Sequence, residues 1–519
     1  MNSRVILSKN IKMDREYVNV LSYSESEMVA LCLQNKVIES SNFSFIRANK
    51  SIQVPFSYGE CLQANYIAFQ NPDYSNKWFF AWIDEVIYKG DSNTEIKYTI
   101  DSWSTWFDKW TKKPCFIQRE HTNDDRIGAN TLPENLDVGN VIQEDITIAD
   151  LLGSEYYFIV STTYTPVGDV DFVGVNKVNG ILHGTKLYAF EPSSVWLVYL
   201  ETFLQATNAD GKISAIDALY IAPKNLIDAI GKEEVSGEYL GAVYKYYKIR
   251  ESNESVTSIV DINVPKSFNG INIKNNKCFT YPFNYLLVTN NVGNQNIYKY
   301  EEFGDSGITV DTILFTIEMA LTIGCSVRLV PNGYKNIESN YDESIPLAKF
   351  PTCSWATDAF VNWITNNAIN IGTQVLATGA GIATGNVKTV AGNIASLIGQ
   401  FYQASLLPSI QGGNNSGDVN FASKQNVFKF INMRVKNENL KVIDDYFSRF
   451  GYSTNRVKEP NITGRQNFNY IEIGQSEEIG YGEVPASFMN DINNACRRGV
   501  TIWHNHNNLG NYNIENNII

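Results

Sequence analysis

The chain gathers its apolar residues into short runs separated by turn formers. Asn65–Phe69 and Lys77–Tyr88 (KWFFAWIDEVIY) are aromatic and β-branched, and Thr94–Trp103 follows across the turn residues Gly90–Asn93. Such side chains fit a pleated, half-buried surface, so the pattern predicts a hairpin meander. The same reasoning predicts strands at Tyr156–Thr163, Lys186–Phe190, Ser194–Leu200, Tyr285–Thr289 and Cys325–Val330, with Asn332-Gly333 turning the chain after the last. Helical spacing is rare. Leu440, Ile443, Tyr446, Phe447 and Phe450 recur at helical intervals before Gly451, a residue suited to end a helix. A second helix is predicted at about Val484–Arg498, with Pro485 near its start and Phe488, Ile492, Ala495 and Cys496 as its stripe. The expectation is a β-dominated chain with little helix and no short repeat.

One stretch breaks this pattern. Between Asp358 and Asp418 the only charged residue is Lys388. Gly372, Gly379, Gly381, Gly385, Gly392 and Gly399 punctuate it, among many Ala, Thr and Ser. A chain of ordinary composition carries about one charge in four residues, so this run must be buried, membrane-facing, or each in turn. Ile371–Val387 and Thr389–Leu407 could each cover most of a ~30 Å hydrocarbon layer as helices, at ~1.5 Å per residue. Both are too polar and glycine-rich for a constitutive span. Val390, Ile394, Leu397, Ile398 and Phe401 make an apolar face, and Asn393, Ser396, Gln400 and Gln403 an uncharged polar one. Two readings fit. One is a helical hairpin with Lys388 near its tip, sheltered at rest and inserting into lipid on release. The other is an Ala/Gly-rich helical pair packed permanently in a core or subunit interface.

Charge narrows the function classes. The 519 residues have a formal net charge of −13, which opposes a nucleic-acid grip but suits a surface past which nucleic acid slides. At ~100–200 residues per domain, the length corresponds to roughly three or four domains. Cys32, Cys61, Cys115, Cys278, Cys325, Cys353 and Cys496 are scattered and never CxxC, which predicts mostly free, half-buried thiols and no zinc or redox pair. The N-terminus lacks the apolar core of a signal peptide, so secretion by the ordinary route is not expected.

Catalytic and metal motifs are weak. His504-x-His506 would aim two rings to one face of a strand, without a third ligand nearby; polar surface rings are the simpler reading. Glu120-His121 would face opposite sides of a strand, which favours a structural role. Ala206–Asp217 half-matches a calcium loop: Asn208, Asp210, Gly211 and Ile213 fall at loop positions, but Ala206 stands where a carboxylate is required and Asp217 where the bidentate Glu belongs. Gly379–Gly385 is not a dinucleotide fingerprint, and no GxSxG, HExxH or P-loop occurs. No cofactor is implied and no carboxylate pair stands out.

Longer strings carry a resemblance. Asn65–Gly90, Glu95–Trp106 and Gln118–His121 (QREH) resemble the N-terminal part of the distal tail-knob protein of picovirus-type short-tailed phages of Gram-positive bacteria. Phe447–Asn461, Phe468–Tyr470 and Arg497–Asn516 resemble its C-terminal part, and the uncharged run lies where that family carries a long hydrophobic loop. Ala149–Ser339 matches by order alone.

The resemblance implies a mainly β (α+β) fold: β-barrel-like tube domains, an inserted knob domain and a long hydrophobic, partly helical loop. It divides the chain into N-terminal tube (1–148), knob (149–255), a second β domain (256–354), the loop (355–418) and C-terminal tube (419–519). It implies a non-enzymatic homohexamer at the distal end of the virion tail, joined to a lower collar or proximal tail protein. Double-stranded DNA passes through the lumen without specific binding. The loops plug the tube, then are released to penetrate the host membrane and form a channel. Trp363, Ile371, Val375, Leu376, Ile382, Val387, Lys388, Val390, Ile394, Leu397, Ile398, Phe401, Leu406 and Leu407 are the membrane-active residues on this reading. The rivals are an adhesin binding wall glycan through Trp78, Trp82, Trp103 and Trp106, aromatics whose strand alternation favours the core, and a tail-associated wall hydrolase.

Overall fold

The computed structural model describes the chain apart from residues 1–2, 47–48, 73–75, 151–155, 165–175, 179–180, 184–185, 192, 213–214, 250–255, 291–293, 305–310, 321–325, 348–351 and 355–426. Strands dominate, and two compact units form. The first is Met1–Gly139, Gly270–Cys278 and Asn437–Ile519; the second is Asn140–Asn269 and Phe279–Lys436.

In the first unit the predicted meander is present. Tyr66–Gln70, Trp78–Gly90 and Asn93–Ile100 pair in sequence, and the Asp91-Ser92 turn joins the last two. They occupy the middle of a seven-stranded sheet with Arg4–Ser8 beside them. Val5, Leu7, Ile67, Phe69 and Ala81 enter one hydrophobic cluster, while Ile6, Tyr66, Ala68, Phe80 and Trp82 enter another. Burial on both faces explains why these strands read as continuous apolar runs. A five-stranded sheet contains Phe468–Ile473 between Val500–Trp503 and Cys115–Glu120, with Tyr452–Lys458 on its edge.

The two expected helices are Asn437–Phe450 and Ala486–Arg498. Leu440, Ile443 and Phe447 face the core from the first; Ile492, Ala495 and Cys496 do so from the second. Gly451 ends the first at φ +64°, and a Cβ there would stand 2.1 Å from the Glu120 carbonyl oxygen, so only glycine fits. The predicted strand Thr94–Trp103 stops at Ile100 instead. The Asp101 carboxylate accepts from the Ser104 N–H at 3.0 Å and caps a short helix, Ser102–Trp106.

The second unit holds a six-stranded, a four-stranded and a five-stranded sheet, with one hydrophobic cluster drawing on all three. Phe303, Tyr298, Phe315, Tyr334 and Phe430 are its aromatic centre. Tyr156–Thr162, Lys186–Phe190 and Asn284–Thr289 are strands as expected. Ser194–Leu200 is not: it opens a helix, Ser194–Ala209. Its valines favour a strand by propensity, but Phe203 packs on Tyr188, Phe190 and Tyr246, so tertiary burial wins. The turn expected at Asn332-Gly333 falls three residues later, at Lys335-Asn336 (φ +55° and +61°), while Gly333 stays in the strand Ser326–Tyr334.

Cys32, Cys61, Cys115, Cys278 and Cys496 are free and fully buried rather than half-buried. Trp78, Trp82 and Trp103 are buried too.

Candidate functional site

The uncharged run, with every loop residue named from Trp363 to Leu407, lies outside the described residues. Its attachment points are described, and they differ. On the N-terminal side the three-residue strand Thr352–Ser354 pairs with Ile216–Pro223 at the edge of the six-stranded sheet. On the C-terminal side Val427–Val435 is an inner strand, paired along its whole length with Val141–Asp150 and over six positions with Asn284–Thr289. Phe428 and Phe430 point into the core from this strand. Ladder length and burial therefore fix the C-terminal attachment far more firmly than the N-terminal one.

The first unit has a polar centre where its three stretches meet. The short strap Gly270–Cys278 lies between the other two. The Asp444 carboxylate accepts from the backbone N–H groups of Lys274 and Asn275, at 3.1 and 3.0 Å, and from Asn275 Nδ2 at 2.9 Å. Asn276 Nδ2 donates to the Asp125 carbonyl at 2.7 Å. Lys277 pairs with Glu134, donates to the Leu132 carbonyl at 2.8 Å, and lies over the Tyr452 ring. Glu134 also takes Arg119 and the Ser453 N–H. Lys277 and Glu134 side chains are 2% and 1% exposed. Burial holds the Lys277 ammonium below its usual pKa range and lifts the Asp125 carboxyl, against the hydrogen bond from Tyr452.

The QREH string joins this centre residue by residue. Arg119 donates to the Gly451 carbonyl at 2.8 Å, and Glu120 pairs with Lys458. His121 Nδ1 accepts from the Tyr470 N–H at 2.7 Å, which leaves Nε2 to donate to the Ser448 carbonyl at 3.1 Å. Burial, reinforced by the Arg465 charge, pushes the His121 pKa down to about 3. This is a fastening between segments, in which each polar group named binds another part of the same unit. Lys277, Glu134, Asp125 and Asn275 belong to no motif; the one signal the sequence carries is a lysine set beside Cys278 and Phe279.

The weak motifs dissolve. The strand Val500–Trp503 ends before His504, whose ring bonds Ser22 Oγ and Asn469 Oδ1, while His506 sits in a separate helical turn. Asn208 lies inside a helix and Asp210 accepts from the Tyr164 hydroxyl, so Ala206–Asp217 is not a calcium loop. Among the described residues no cluster of three metal-ligating side chains occurs, and no helix is long and apolar enough to cross a membrane.

The strings from the two chain ends thus meet in one unit, and known proteins share this arrangement of sequence. Residues 245–517, more than half the chain, match the family model of the C-terminal domain of tail knob protein gp9 of Bacillus phage phi29. The chain belongs to this tail knob family. Residues 1–111 match the N-terminus of caudoviral major tail proteins. The phi29 tail knob protein gp9 is 21% identical over 99% of this chain and 98% of its own length, and that of Bacillus phage PZA is 23% identical over the same shares. The tail knob protein gp12 of bacteriophage C1 has the same fold, with a TM-score of 0.65 and 14% identity over the full length of both chains. This tail knob chain is a structural component of a phage virion tail.

Proposed function

We propose that copies of this chain assemble as a hexameric tube at the distal end of the tail, joined to a lower collar protein, and that the genome leaves through its lumen. The uncharged segments plug the tube before infection, then enter the host membrane and form the ejection channel. The observation that carries this reading is the run Ala359–Gly417 with Lys388 as its sole charge, joined at both ends to paired strands. One such segment binds bilayer weakly because its polar residues offset the apolar gain; several tethered together act at high effective concentration. A ring of acidic chains repels phosphates and lets DNA slide. The run contains no Asp, Glu or His, so acid does not release it directly; the trigger acts elsewhere, or is the pressure of packaged DNA. The chemistry is non-enzymatic. Of the tryptophans an adhesin would display, Trp78, Trp82 and Trp103 are inside and Trp106 is half-buried.

Dye release from liposomes tests the membrane step. Wild type should leak dye, and deletion of 368–407 should abolish leakage. Leu397→Asp should form rings and lose leakage, since a charge at mid-bilayer costs ~2.5–3.5 kcal/mol on insertion scales. Unchanged leakage from that variant would refute insertion of this stretch. Wall binding that survives the deletion would favour adhesion, and release of soluble muropeptides would favour hydrolysis.

A further inference from the structure

The four-stranded sheet of the second unit has an apolar outer face. Its strands run in the order Val141–Asp150, Val427–Val435, Asn284–Thr289, Gln295–Tyr298. Phe428, Phe430, Leu286, Val288 and Tyr298 point into the core. On the opposite face Ile146, Ile431, Leu287 and Ile297 stand in one register row across all four strands. Met433 and Tyr285 pair beside that row, and on the other side Ile148 follows Ile146 in a row completed by the polar residues Lys429, Thr289 and Gln295. Ile146, Ile148 and Ile297 are 45%, 57% and 44% exposed, while Leu287 is half-buried and Ile431, at the centre of the row, is buried.

The backbone is arranged to keep them outside. Between Gln143 and Asp145 the pairing shifts by one residue, so Glu144 is an extra residue in a bulge. Glu144 is pinned there by Arg434 Nε at 2.7 Å and the Asn269 N–H at 2.8 Å. A one-residue shift reverses every later side chain. Without the bulge, Ile146 and Ile148 would trade faces with Asp145 and Thr147, which line up with Asn432 and Phe430 and are themselves exposed at this edge. The five-stranded sheet of the same unit shows the alternative. Its outer face carries Thr257, Glu318 and Arg328 in one row and Asp261, Leu314 and Asn332 in another, so that its exposed apolar residues, Ile259 and Leu314, stand among charged and polar ones.

We propose that this apolar face, from Ile146 to Ile297, is where a second copy of the chain docks. The inference rests on the homo-oligomer proposed above and names its contact surface. At ~4.8 Å between strands and ~3.4 Å per residue the four strands, which shorten from Val141–Asp150 to Gln295–Tyr298, span about 470 Å². That is more than half of the ~800 Å² each partner gives to a stable interface, and it reaches the ~300–600 Å² of the largest patches on single chains, which are often functional. The Val141–Asp150 strand is also a ten-residue sheet edge, a length that is normally covered. A closed ring requires each chain to offer one patch to a different patch on its neighbour, and this face supplies one of the two.

Sedimentation of the full chain tests this. The triple variant Ile146→Thr, Ile148→Thr, Ile297→Thr keeps β-branched residues; its association should weaken at least tenfold while its melting temperature stays with wild type. Hydrogen exchange on assembled wild type gives a reading that needs no variant: amides of Val141–Asp150 should exchange more slowly than in the dissociated chain. A monomeric wild type, a triple variant that assembles like wild type, or no assembly-linked protection would each overturn the proposal. So would loss of that protection on deleting 368–407 with assembly intact, which would make the chain's own segment the occupant. None of these readouts involves membrane, so leakage can fail while this face stands, and the reverse.

Discussion

The polar centre of the first unit and the outer sheet face of the second invert the usual placement of side chains. One takes Lys277, Glu134 and Arg119 out of water; the other leaves Ile146, Ile148 and Ile297 in it. Desolvation offsets most of what a buried ion pair gains, so its weight lies in which groups must meet. Here the groups belong to stretches far apart in sequence: Glu134 from the first, Lys277 from the strap and Ser453 from the last. Hydrophobic burial alone would tolerate several registers of the strap, whereas hydrogen-bonded charges accept one. The isoleucines lack any such fixing inside the chain. A buried charge reports a contact completed within the chain; apolar residues held outward by a pinned bulge report one that the chain leaves to a partner.

The contrast is broken most directly at Lys277. Lys277→Met leaves the buried Glu134 carboxylate with Arg119 as its one remaining cation; loss of a member from a buried pair costs ~3–5 kcal/mol, and Arg119 should hold this loss near the lower end. Urea unfolding followed by tryptophan fluorescence should show it, because Trp78, Trp82, Trp103, Trp106, Trp110 and Trp503 all lie in this unit. The exposed pair Lys97–Glu85 serves as control, with Lys97→Ala expected to cost under ~1 kcal/mol. Equal losses from the two variants would mean that burial of the charge contributes nothing.

These regions also differ in how far the sequence betrays them. The meander around Trp78–Gly90 and the helices ending at Gly451 and Arg498 follow from periodicity, because local pattern and tertiary burial agree there. Ser194–Leu200 misleads because its valines argue for a strand, while the residue that decides, Phe203, lies beyond the stretch being read. The polar centre was half legible. QREH stood out as a string, but nothing local says that Arg119 and His121 reach Gly451 and Ser448, more than 300 residues away. The alternation of Ile146 and Ile148 was readable as a strand; which face they occupy was not, since that depends on the bulge at Glu144 and its partner Arg434.

A smaller effect sharpens the comparison through pH. The His121 ring is buried and neutral, with both nitrogens engaged: Nδ1 accepts from Tyr470 and Nε2 donates to Ser448. The unfolded chain protonates it near the usual 6.5, while the folded chain resists to about 3. Across that window the unfolded state binds the extra proton, so stability is full above about 6.5 and falls with pH by up to ~1.4 kcal/mol per unit. Glu120 and Asp125, whose carboxyls burial raises, act with the opposite sign. The difference between wild type and His121→Gln isolates the histidine, since an amide can accept and donate in its place. Expected is a gap that changes by ~2 kcal/mol from pH 6.5 to 5. A gap independent of pH would show that His121 is charged in the fold or solvated there.

The smallest expected effect belongs to the other side. Ile148→Thr alters a residue that is 57% exposed and paired with Lys429, in a strand that threonine suits as well as isoleucine does. Within one dissociated chain it should change unfolding free energy by no more than ~0.5 kcal/mol, the range of ordinary surface substitutions. Hydrogen exchange in the Val427–Val435 strand, measured at a concentration where chains are apart, would report it. A loss of 2 kcal/mol or more under those conditions would mean that Ile148 is covered by its own chain. The outward isoleucines would then be core residues, and the contrast with Lys277 would reduce to two kinds of internal packing.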